Sequence, residues 1–532
     1  PTAIYVFDGN PYILFFSLTD NADPEREQTI HKQVWSFDQA PLAFIVKPSD
    51  VKIYNAFAYE KRKKESGLQE IDISKEERNK QFSFWNLQSG KAWKWLQENY
   101  KSKKQDDRAK RVHQRLFDNI KAVRERLKKT NVISEDAANI LILRLIFIRY
   151  LIDRNVKISS EFINGETIVD RRISFSDLIR NQEKLTLFFL DLNRIFNGVL
   201  FKDDIVLSTD QAEYLSLVFS EKEKFDRPTL FDDFKEFYFS IFDFNIIPVE
   251  MISGIYESLI DPETKNADSA FYTPLFIVEH ILTNTLDKFF DRLENQSKSE
   301  CKVFDASMGS GIFLVQAFRR MVDREMALSG KNLSKERLSE IATKNLWGID
   351  INPSAIKVAC FSVYIAILDY EDPGTIMDQF HFKDLNFHQA DFFETDKKHP
   401  LNSQIQPIQF DFILGNPPWK KDKSPKHLAW VNDRKIYKEL INGKIEIAQN
   451  FLLRARDFMT ENTVCSLIVT SPIFYNISST SKTFKHEFLT TTNISSILDL
   501  SPVRRYIFDG KKVELDEETG KKKTKSISNP AL

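Results

Sequence analysis

Apolar and polar residues along the first 57 positions fall into short runs that predict β-strands. The runs read "AIYVF", "YILFF", "PLAFIV" and "DVKIYNAF", with a polar helix toward Trp35 between the second run and the third. Apolar runs of this length, rich in β-branched and aromatic residues and bounded by turn residues, are typical of strands. We therefore predict a small α/β domain over residues 1–75.

Over residues 76–250 the apolar residues recur at spacings of three and four, which predicts a helical domain. Its most apolar run, "ILILRLIFIRYLIDR" from Ile140, carries arginines inside it, a pattern that membrane-spanning helices avoid. Residues 101–129 hold an excess of lysine and arginine. That excess fits either a solvated helix face or contact with a nucleic-acid backbone.

Beyond residue 251 the pattern alternates between strand and helix, as in a parallel sheet covered by helices. "VFDASMGSGIFL" predicts a buried strand, a turn at Gly309 and Gly311, and a helix that begins near Ile312. Further strands are predicted in "LWGID", "HFKDLNFHQAD", "FDFILG", "TVCSLIV" and "ISSILDL". The fold class predicted for residues 251–532 is a Rossmann-like α/β domain.

Composition adds constraints on charge, redox state and location. The 532 residues carry a net charge of -1, so any basic surface must be local. Cys301, Cys360 and Cys465 are isolated in the sequence and lack metal-site spacing, which indicates buried thiols in a reducing compartment. The N-terminal residues do not resemble a signal peptide. We therefore expect a cytoplasmic protein with neither a metal site nor a membrane span.

Three aspartates stand at the ends of successive predicted strands, where parallel sheets bind their ligands. Asp305 can accept from an ammonium or hydroxyl group, Asp350 can hold two ribose hydroxyls, and Asp391 can accept from an adenine amino group. Phe392 would stack on that adenine ring. Each acid alone could be a helix N-cap, but three of them around one glycine turn indicate a nucleoside cofactor.

The strand "FDFILG" runs into "NPPWKK", a rigid polar turn. Pro417 and Pro418 cannot donate to a sheet, so the strand must stop there. The Asn416 side-chain carbonyl and the Pro417 backbone carbonyl could both accept from one planar amino group, and Trp419 could stack on the base that carries it. Two such bonds would free the nitrogen lone pair for attack on an electrophilic methyl group. The alternative is a surface turn with a partly buried tryptophan.

Together these motifs resemble those of the gamma class of amino-methyltransferases that act on DNA adenine. "GNPPW" is similar to the catalytic motif of that family, "DASMGSGIFL" to its cofactor loop, and "SAFYTPLFIVEHIL" to the motif that precedes the loop. The order of the three motifs is that of the gamma class. "FDFNIIPVEMISGIYESLI" and "LILRLIFIRYLIDR" resemble helical segments of large fused restriction-modification enzymes and type I modification subunits.

The resemblance implies S-adenosylmethionine as the cofactor, with Thr273 and Pro274 near its methionine moiety. The departure from the family pattern at Ser307 and Met308 is not expected to weaken binding. The implied cofactor-binding residues are Tyr272, Thr273, Pro274, Asp305, Ala306, Gly309, Gly311, Asp350, Ile351, Asp391 and Phe392.

The resemblance also implies an adenine flipped out of double-stranded DNA as the target. Phe508, in "RRYIFDG", would contact the base on the face opposite Trp419, and Lys420 and Lys421 would contact neighbouring phosphates. The implied catalytic residues are Asn416, Pro417, Pro418 and Trp419.

The ends of the chain extend the resemblance. Residues 1–75 resemble the nuclease-like domain fused to such methylases, but Asp8 is followed by "PYILFFSL" where an active nuclease carries Glu-x-Lys, so we expect no nuclease activity. A target-recognition domain is expected beyond Leu532, and other restriction or defence subunits are candidate partners. Two other function classes stay open: methylation of protein glutamine or RNA guanine through the same catalytic motif, and a non-catalytic DNA-binding subunit with a methylase fold.

Overall fold

The structure is a computed structural model of the chain, and it divides into two compact units. The N-terminal unit comprises Pro1–Asp191 with Asp204–Met251, and the C-terminal unit comprises Leu192–Asp203 with Ile252–Leu532. The division into three domains at residues 75 and 250 stays a prediction. The residues that the structure describes are 1–7, 10–20, 23–60, 67–99, 111–129, 133–154, 156, 174–195, 201, 205–220, 238–248, 250–252, 273–371, 385–419, 425–433, 447–477, 479–503, 509–515 and 522–528.

A mixed five-stranded sheet opens the N-terminal unit, in the order β1-β2-β3-β4-β5. Strands β2 and β3 pair in parallel and the other neighbours pair antiparallel. The helix Pro24–Phe37 packs on β4 and β5 and buries Val34 and Trp35. This confirms the α/β structure predicted for the start of the chain. The strands are β1 (Ala3–Phe7), β2 (Asn10–Ser17), β3 (Leu42–Val46), β4 (Val51–Glu60) and β5 (Gly67–Glu70).

Helices make up most of the rest of the described N-terminal unit, as the apolar spacing predicted. Among them, Glu135–Asp153 buries Arg144 completely, and Arg149 pairs with Asp153 at 2.7 Å. In the described part of the chain, every helix falls short of the length and apolar character that crossing a membrane requires. The helices are Lys75–Gln81, Phe84–Gln88, Lys91–Asn99, Val112–Lys128, Glu135–Asp153, Phe175–Arg180, Gln182–Ile195, which runs across the unit boundary, and Thr209–Val218.

A parallel five-stranded sheet forms the centre of the C-terminal unit, in the order β10-β9-β6-β7-β8. The chain runs outward from β6 through β7 to β8, and then returns to the other side of β6 for β9 and β10. The carboxyl ends of all five strands therefore meet at one edge, and the change of direction lies between β6 and β9, where open parallel sheets bind ligands. The strands are β6 (Val303–Asp305), β7 (Leu346–Asp350), β8 (Asn386–Gln389), β9 (Phe412–Gly415) and β10 (Val464–Leu467).

Helices alternate with these strands and cover the sheet. The sheet residues Phe304, Ile349 and Ile413 are fully buried in one apolar cluster. This arrangement confirms the parallel α/β sheet predicted for residues 251–532. The helices are Leu275–Leu282, which continues through the π-turn Thr283–Asp287 to Lys288–Phe290, and Ile312–Ser329, Lys335–Asn345, Pro353–Leu368, Pro425–Asp433, Ile447–Ala455, Pro472–Tyr475 and Ser479–Thr491.

Two expectations for the last part of the chain have different outcomes. The charged segment "KKVELDEETGKKKTKS", which the sequence predicts to be a hairpin, contributes to two strands that pair antiparallel, β11 (Asp509–Leu515) and β12 (Lys522–Ser528). The prediction of a strand at "ISSILDL", residues 494–500, is wrong. In the described sheet β10 is an edge strand, and residues 494–500 do not pair with it. Ile497 and Leu498 are 53% and 50% exposed, so this apolar run is not packed as a core strand would be.

Candidate functional site

Asp305 ends β6 at the middle of the carboxyl edge, and it is almost completely buried. Its Oδ1 atom accepts a hydrogen bond from the backbone N–H of Ser307 at 2.9 Å. Gly415, the last residue of the neighbouring strand β9, approaches so closely that a Cβ atom there would lie 2.7 Å from the same oxygen. The position of the Asp305 carboxylate therefore depends on glycine at position 415.

The glycine turn after β6 is tied to the end of β7. Gly309 and Gly311 have φ angles of 51° and 80°, the left-handed conformation that glycine adopts without strain. A Cβ atom at Gly311 would lie 3.1 Å from Ala359 Cβ, so the turn packs closely on the helix Pro353–Leu368, which follows β7. The Asp350 carboxylate accepts from the backbone N–H groups of Gly309 at 3.0 Å and Asn352 at 2.8 Å. Asp350 thus fixes the two loops to each other.

Beyond Asp350 the edge presents an apolar side chain and a further acid. Ile351 is 69% exposed at the end of β7. Asp391 lies two residues beyond the end of β8, and its Oδ1 atom accepts from the backbone N–H of Phe393 at 2.9 Å. The described edge therefore carries three carboxylates, a glycine turn and one exposed aliphatic group. This set of hydrogen-bond acceptors with an apolar contact fits a nucleoside.

Phe392 lies in the core, with a ring only 3% exposed. It packs on Phe451 and Phe458 with ring centroids 4.8 Å and 5.3 Å away. Its predicted stacking on adenine stays a prediction, although in this structure its ring packs against other phenylalanines. Ile351 is the exposed apolar side chain in this neighbourhood.

The catalytic loop predicted from "GNPPW" follows β9 directly. Asn416 donates from Nδ2 to the Thr273 hydroxyl at 3.1 Å, and its Oδ1 atom is buried with no hydrogen-bond partner among the described residues. Pro417 is buried, and Pro418 is partly exposed. The Trp419 ring is partly buried, and its Nε1 donates to the Ile468 carbonyl at 3.1 Å. The loop thus leaves one unused carbonyl at the carboxyl edge.

Sequence reasoning missed the residues that hold the segment after Asp391. Arg454 is 3% exposed and donates to the backbone carbonyls of Phe392 and Glu394 and to the side chain of Asn402, at 3.0, 3.2 and 2.7 Å. Lys426 pairs with the Glu394 carboxylate at 2.5 Å, which lowers the pKa of that carboxyl to about 2. Arg454, the first arginine in "FLLRARDFM", was the signal in the sequence for such a contact, since charged residues on an apolar helix face are rarely buried unless they are paired.

Some of the remaining predicted site residues lie in the described part of the chain, and others lie outside it. Pro274 precedes the helix Leu275–Leu282 as its N-cap, Thr273 is 6% exposed beside Asn416, and Ala306 is buried directly after Asp305. Among the described residues, no three carboxylate, histidine or cysteine side chains are grouped as metal ligands would be. Asp8, Tyr272, Lys420, Lys421 and Phe508 lie outside the described residues.

Comparison with known families supports the interpretation of these motifs. Residues 344–506 match the model of the Eco57I restriction-modification methylase family. This segment includes the ends of β7 and β8, the loop after β9 and the helix that carries Arg454.

Two curated relatives are similar to the chain over part of its length. Over 206 residues it is 24% identical to the adenine-specific methyltransferase PglX of Streptomyces coelicolor, covering 32% of this chain and 16% of PglX. Over 356 residues it is 21% identical to the type II restriction enzyme and methyltransferase RM.Eco57I of Escherichia coli, covering 55% of this chain and 35% of that protein. The chain therefore aligns with well under half the length of either relative.

A solved structure supports the fold. The type IIL restriction-modification enzyme MmeI, determined in complex with DNA, is 15% identical and superposes with a TM-score of 0.50, covering 78% of this chain and 60% of MmeI. At this identity the similarity concerns the fold alone. Taken with the family match and the two sequence relatives, it leads to one conclusion: the chain is related to the Eco57I-type adenine-specific DNA methyltransferases of restriction-modification systems.

Proposed function

We propose that this protein transfers a methyl group from S-adenosylmethionine to the N6 amino group of adenine in DNA. The observation that carries the proposal is the buried Asn416 Oδ1 atom, which has no hydrogen-bond partner among the described residues. A buried acceptor left unpaired is costly, on the order of 1–3 kcal/mol. A ligand with an amino group would supply the donor that this acceptor lacks.

The residues along the carboxyl edge fit the cofactor. S-adenosylmethionine supplies an electrophilic methyl group when it is bound. The Asp350 carboxylate, held by the backbone N–H groups of Gly309 and Asn352, would accept from the ribose hydroxyls. Asp305 would accept from the ammonium group, Asp391 from the adenine amino group, and the exposed Ile351 would cover the adenine ring.

Asn416 and Pro417 would act on the target base. Their two carbonyl groups would accept both hydrogens of the amino group, which shifts electron density onto its nitrogen and frees the lone pair. Trp419 would stack on the base. Because its Nε1 atom donates a hydrogen bond to the Ile468 carbonyl, the ring is already oriented. As the nitrogen forms its bond to the methyl carbon, the bond from that carbon to sulfur would break, and S-adenosylhomocysteine would leave with the electron pair. The proton that the nitrogen loses would pass along one of these accepted hydrogen bonds to solvent.

An adenine in a duplex must leave the base stack to reach this edge, because its amino group is otherwise paired. We infer that Trp419, with Phe508 on the other face, receives the flipped base, and that Lys420 and Lys421 contact the flanking phosphates. The matched family and RM.Eco57I support a role in restriction-modification. We propose that role, or one in phage defence, with other subunits as partners. We place the protein in the cytoplasm, where its DNA substrate lies.

The experiment begins by finding the modified sequence, through single-molecule sequencing of a host genome with and without the gene. Tritium transfer from labelled S-adenosylmethionine to DNA that contains this sequence then tests the residues, in the protein at its full natural length. Asn416→Ala should abolish transfer while S-adenosylhomocysteine still binds. Asp350→Ala should instead weaken that binding about tenfold to a hundredfold, as expected for a lost hydrogen bond to a charged group.

Two results would contradict the proposal. Robust adenine methylation by Asn416→Ala would remove the amide from its catalytic role. A labelled product on protein glutamine, on RNA guanine or on cytosine would assign the same fold to another substrate.

A further inference from the structure

The two ends of the Asn416 amide have different surroundings. The Nδ2 end donates to the Thr273 hydroxyl at 3.1 Å, whereas the Oδ1 end is buried without a hydrogen-bond partner in the described part of the chain. Thr273 is 6% exposed and directly precedes Pro274, the N-cap of the helix Leu275–Leu282. One buried hydroxyl, held at the start of a helix, therefore contacts the nitrogen end of the amide.

This contact matters because the two ends of an amide are similar in shape and opposite in chemistry. Only the carbonyl end can accept a hydrogen bond from an amino group. A rotation of the amide by 180° would present NH₂ to the amino group of a base, placing donors against donors. A catalytic asparagine therefore needs its rotation fixed.

Thr273 can fix that rotation. In the observed arrangement the Thr273 hydroxyl oxygen accepts from Asn416 Nδ2, and Asn416 Oδ1 remains as an acceptor for a ligand. In the rotated arrangement the hydroxyl would donate to Oδ1, and both N–H donors of a buried NH₂ group would be left over. Because buried unpaired donors are rarer in proteins than unpaired carbonyls, the observed rotation is the favoured one.

We propose that Thr273 is a positioning residue that sets the Asn416 amide with its carbonyl toward the substrate amino group. The inference rests on the proposed function, and it assigns Thr273 a task other than contact with the methionine moiety. A positioning role acts on the methyl-transfer step, whereas a cofactor contact acts on cofactor affinity. The two roles can therefore be separated by measurement.

The first experiment compares Thr273→Val with Thr273→Ser in the full-length protein. Valine keeps the shape and removes the hydroxyl, and should lower kcat on the order of tenfold, the effect of one hydrogen bond. Serine keeps the hydroxyl and should retain most of the rate. Calorimetry with S-adenosylhomocysteine should give the same affinity for all three proteins. If valine prevents folding, Thr273→Ala removes the hydroxyl without the branch and is compared with serine instead.

Thr285 provides a matched control. It is 9% exposed on the continuation of the same helix, and its hydroxyl donates to the Ile281 carbonyl at 2.7 Å. Thr285→Val removes a buried threonine hydroxyl away from the catalytic loop and should leave kcat unchanged. A loss of rate common to both valine variants would show a general effect of the substitution on the helix and would overturn the positioning role.

A second experiment uses the symmetry of a carboxylate. Asn416→Asp presents an oxygen in either rotation, so it needs no residue to select one. In that background Thr273→Val should change kcat less than twofold, against about tenfold beside asparagine. An equal loss in both backgrounds would show that Thr273 acts other than by setting the amide.

The remaining outcomes separate this inference from the function on which it rests. If the wild-type protein methylates adenine and Thr273→Val has the same kcat, the inference is overturned and the proposed function stands. Weakened S-adenosylhomocysteine binding with unchanged kcat at saturation also overturns it, and makes Thr273 a cofactor contact. Absence of adenine methylation by the wild-type protein overturns the proposed function and this inference with it.

Discussion

At the scale of single residues, the carboxyl edge of the parallel sheet is built with little free space. A Cβ atom at Gly348, in the middle of β7, would lie 2.3 Å from Met308 Sδ, and one at Gly415 would lie 2.7 Å from Asp305 Oδ1. Gly348 thus places its strand backbone against the loop after β6, and Gly415 places its strand backbone against the last residue of β6. Alanine at position 415 should therefore displace the Asp305 carboxylate, and alanine at position 348 the Met308 side chain, because protein interiors at packing density leave no gap to absorb a methyl group.

Gly415→Ala should therefore weaken cofactor binding by displacing the Asp305 carboxylate. A lost charged hydrogen bond corresponds to roughly 1.5–3 kcal/mol, so calorimetry should give S-adenosylhomocysteine a Kd about tenfold to a hundredfold higher. The control is Gly330→Ala, which has a φ of +65° and no atom within 4 Å of the new Cβ. It should lower thermal stability through strain and leave Kd unchanged. Unchanged affinity in Gly415→Ala would show that Asp305 does not bind the cofactor.

At the scale of secondary-structure elements, the sequence predicted what local patterns determine. Apolar runs ending in Asp305, Asp350 and Asn416 marked three strands of the parallel sheet, because buried strands and turn residues leave clear signals. It did not predict contacts between distant segments. The burial of Phe392 depends on Phe451 and Phe458, which lie far along the chain. The strand predicted at residues 494–500 does not form, because an apolar run needs a neighbouring strand to pair with and its own sequence does not specify one.

The pair of Lys426 with Glu394 joins the helix Pro425–Asp433 to the segment after Asp391, and it gives this region a pH dependence. The pKa of Glu394 is lowered from 4.5 to about 2, first by the hydrogen bond from Lys426 and then by the backbone N–H of Asp396. A carboxyl whose pKa is lowered in the folded state stabilises the fold at pH values above its pKa in the unfolded chain. This contribution is lost as pH falls through the folded-state pKa. The contribution is therefore present above pH 4.5 and disappears toward pH 2.

Lys426→Met should remove most of this contribution. The urea midpoint of the variant should lie below that of the wild type at pH 7, and the two midpoints should converge as pH is lowered from 4.5 toward 2. Lys344→Met serves as a control, because Lys344 pairs with Glu340 at 3.4 Å on an exposed surface, where such pairs contribute little. A difference between wild type and Lys426→Met that stays constant with pH would show that the lysine acts through packing alone.

At the scale of the whole molecule, the predicted chemistry is confined to one of two compact units. The described site residues, Thr273 to Trp419, all belong to the C-terminal unit. The family match at 344–506 falls inside the same unit. A ligand that binds only the folded state of a unit stabilises that unit by mass action, so the cofactor site predicts where stabilisation should appear.

Hydrogen exchange with and without S-adenosylhomocysteine tests this prediction. At one hundred times its Kd, the ligand stabilises the state that binds it by about 2.7 kcal/mol, which slows exchange through unfolding of that unit about a hundredfold. Peptides from β6, β7 and β9 should show this protection, and peptides from β2, β3 and β4 should not. In Asp350→Ala the protection at the same ligand concentration should largely disappear. Equal protection of both sets would mean that the ligand acts on both units, and protection confined to the N-terminal strands would place the cofactor site away from the carboxyl edge of the parallel sheet.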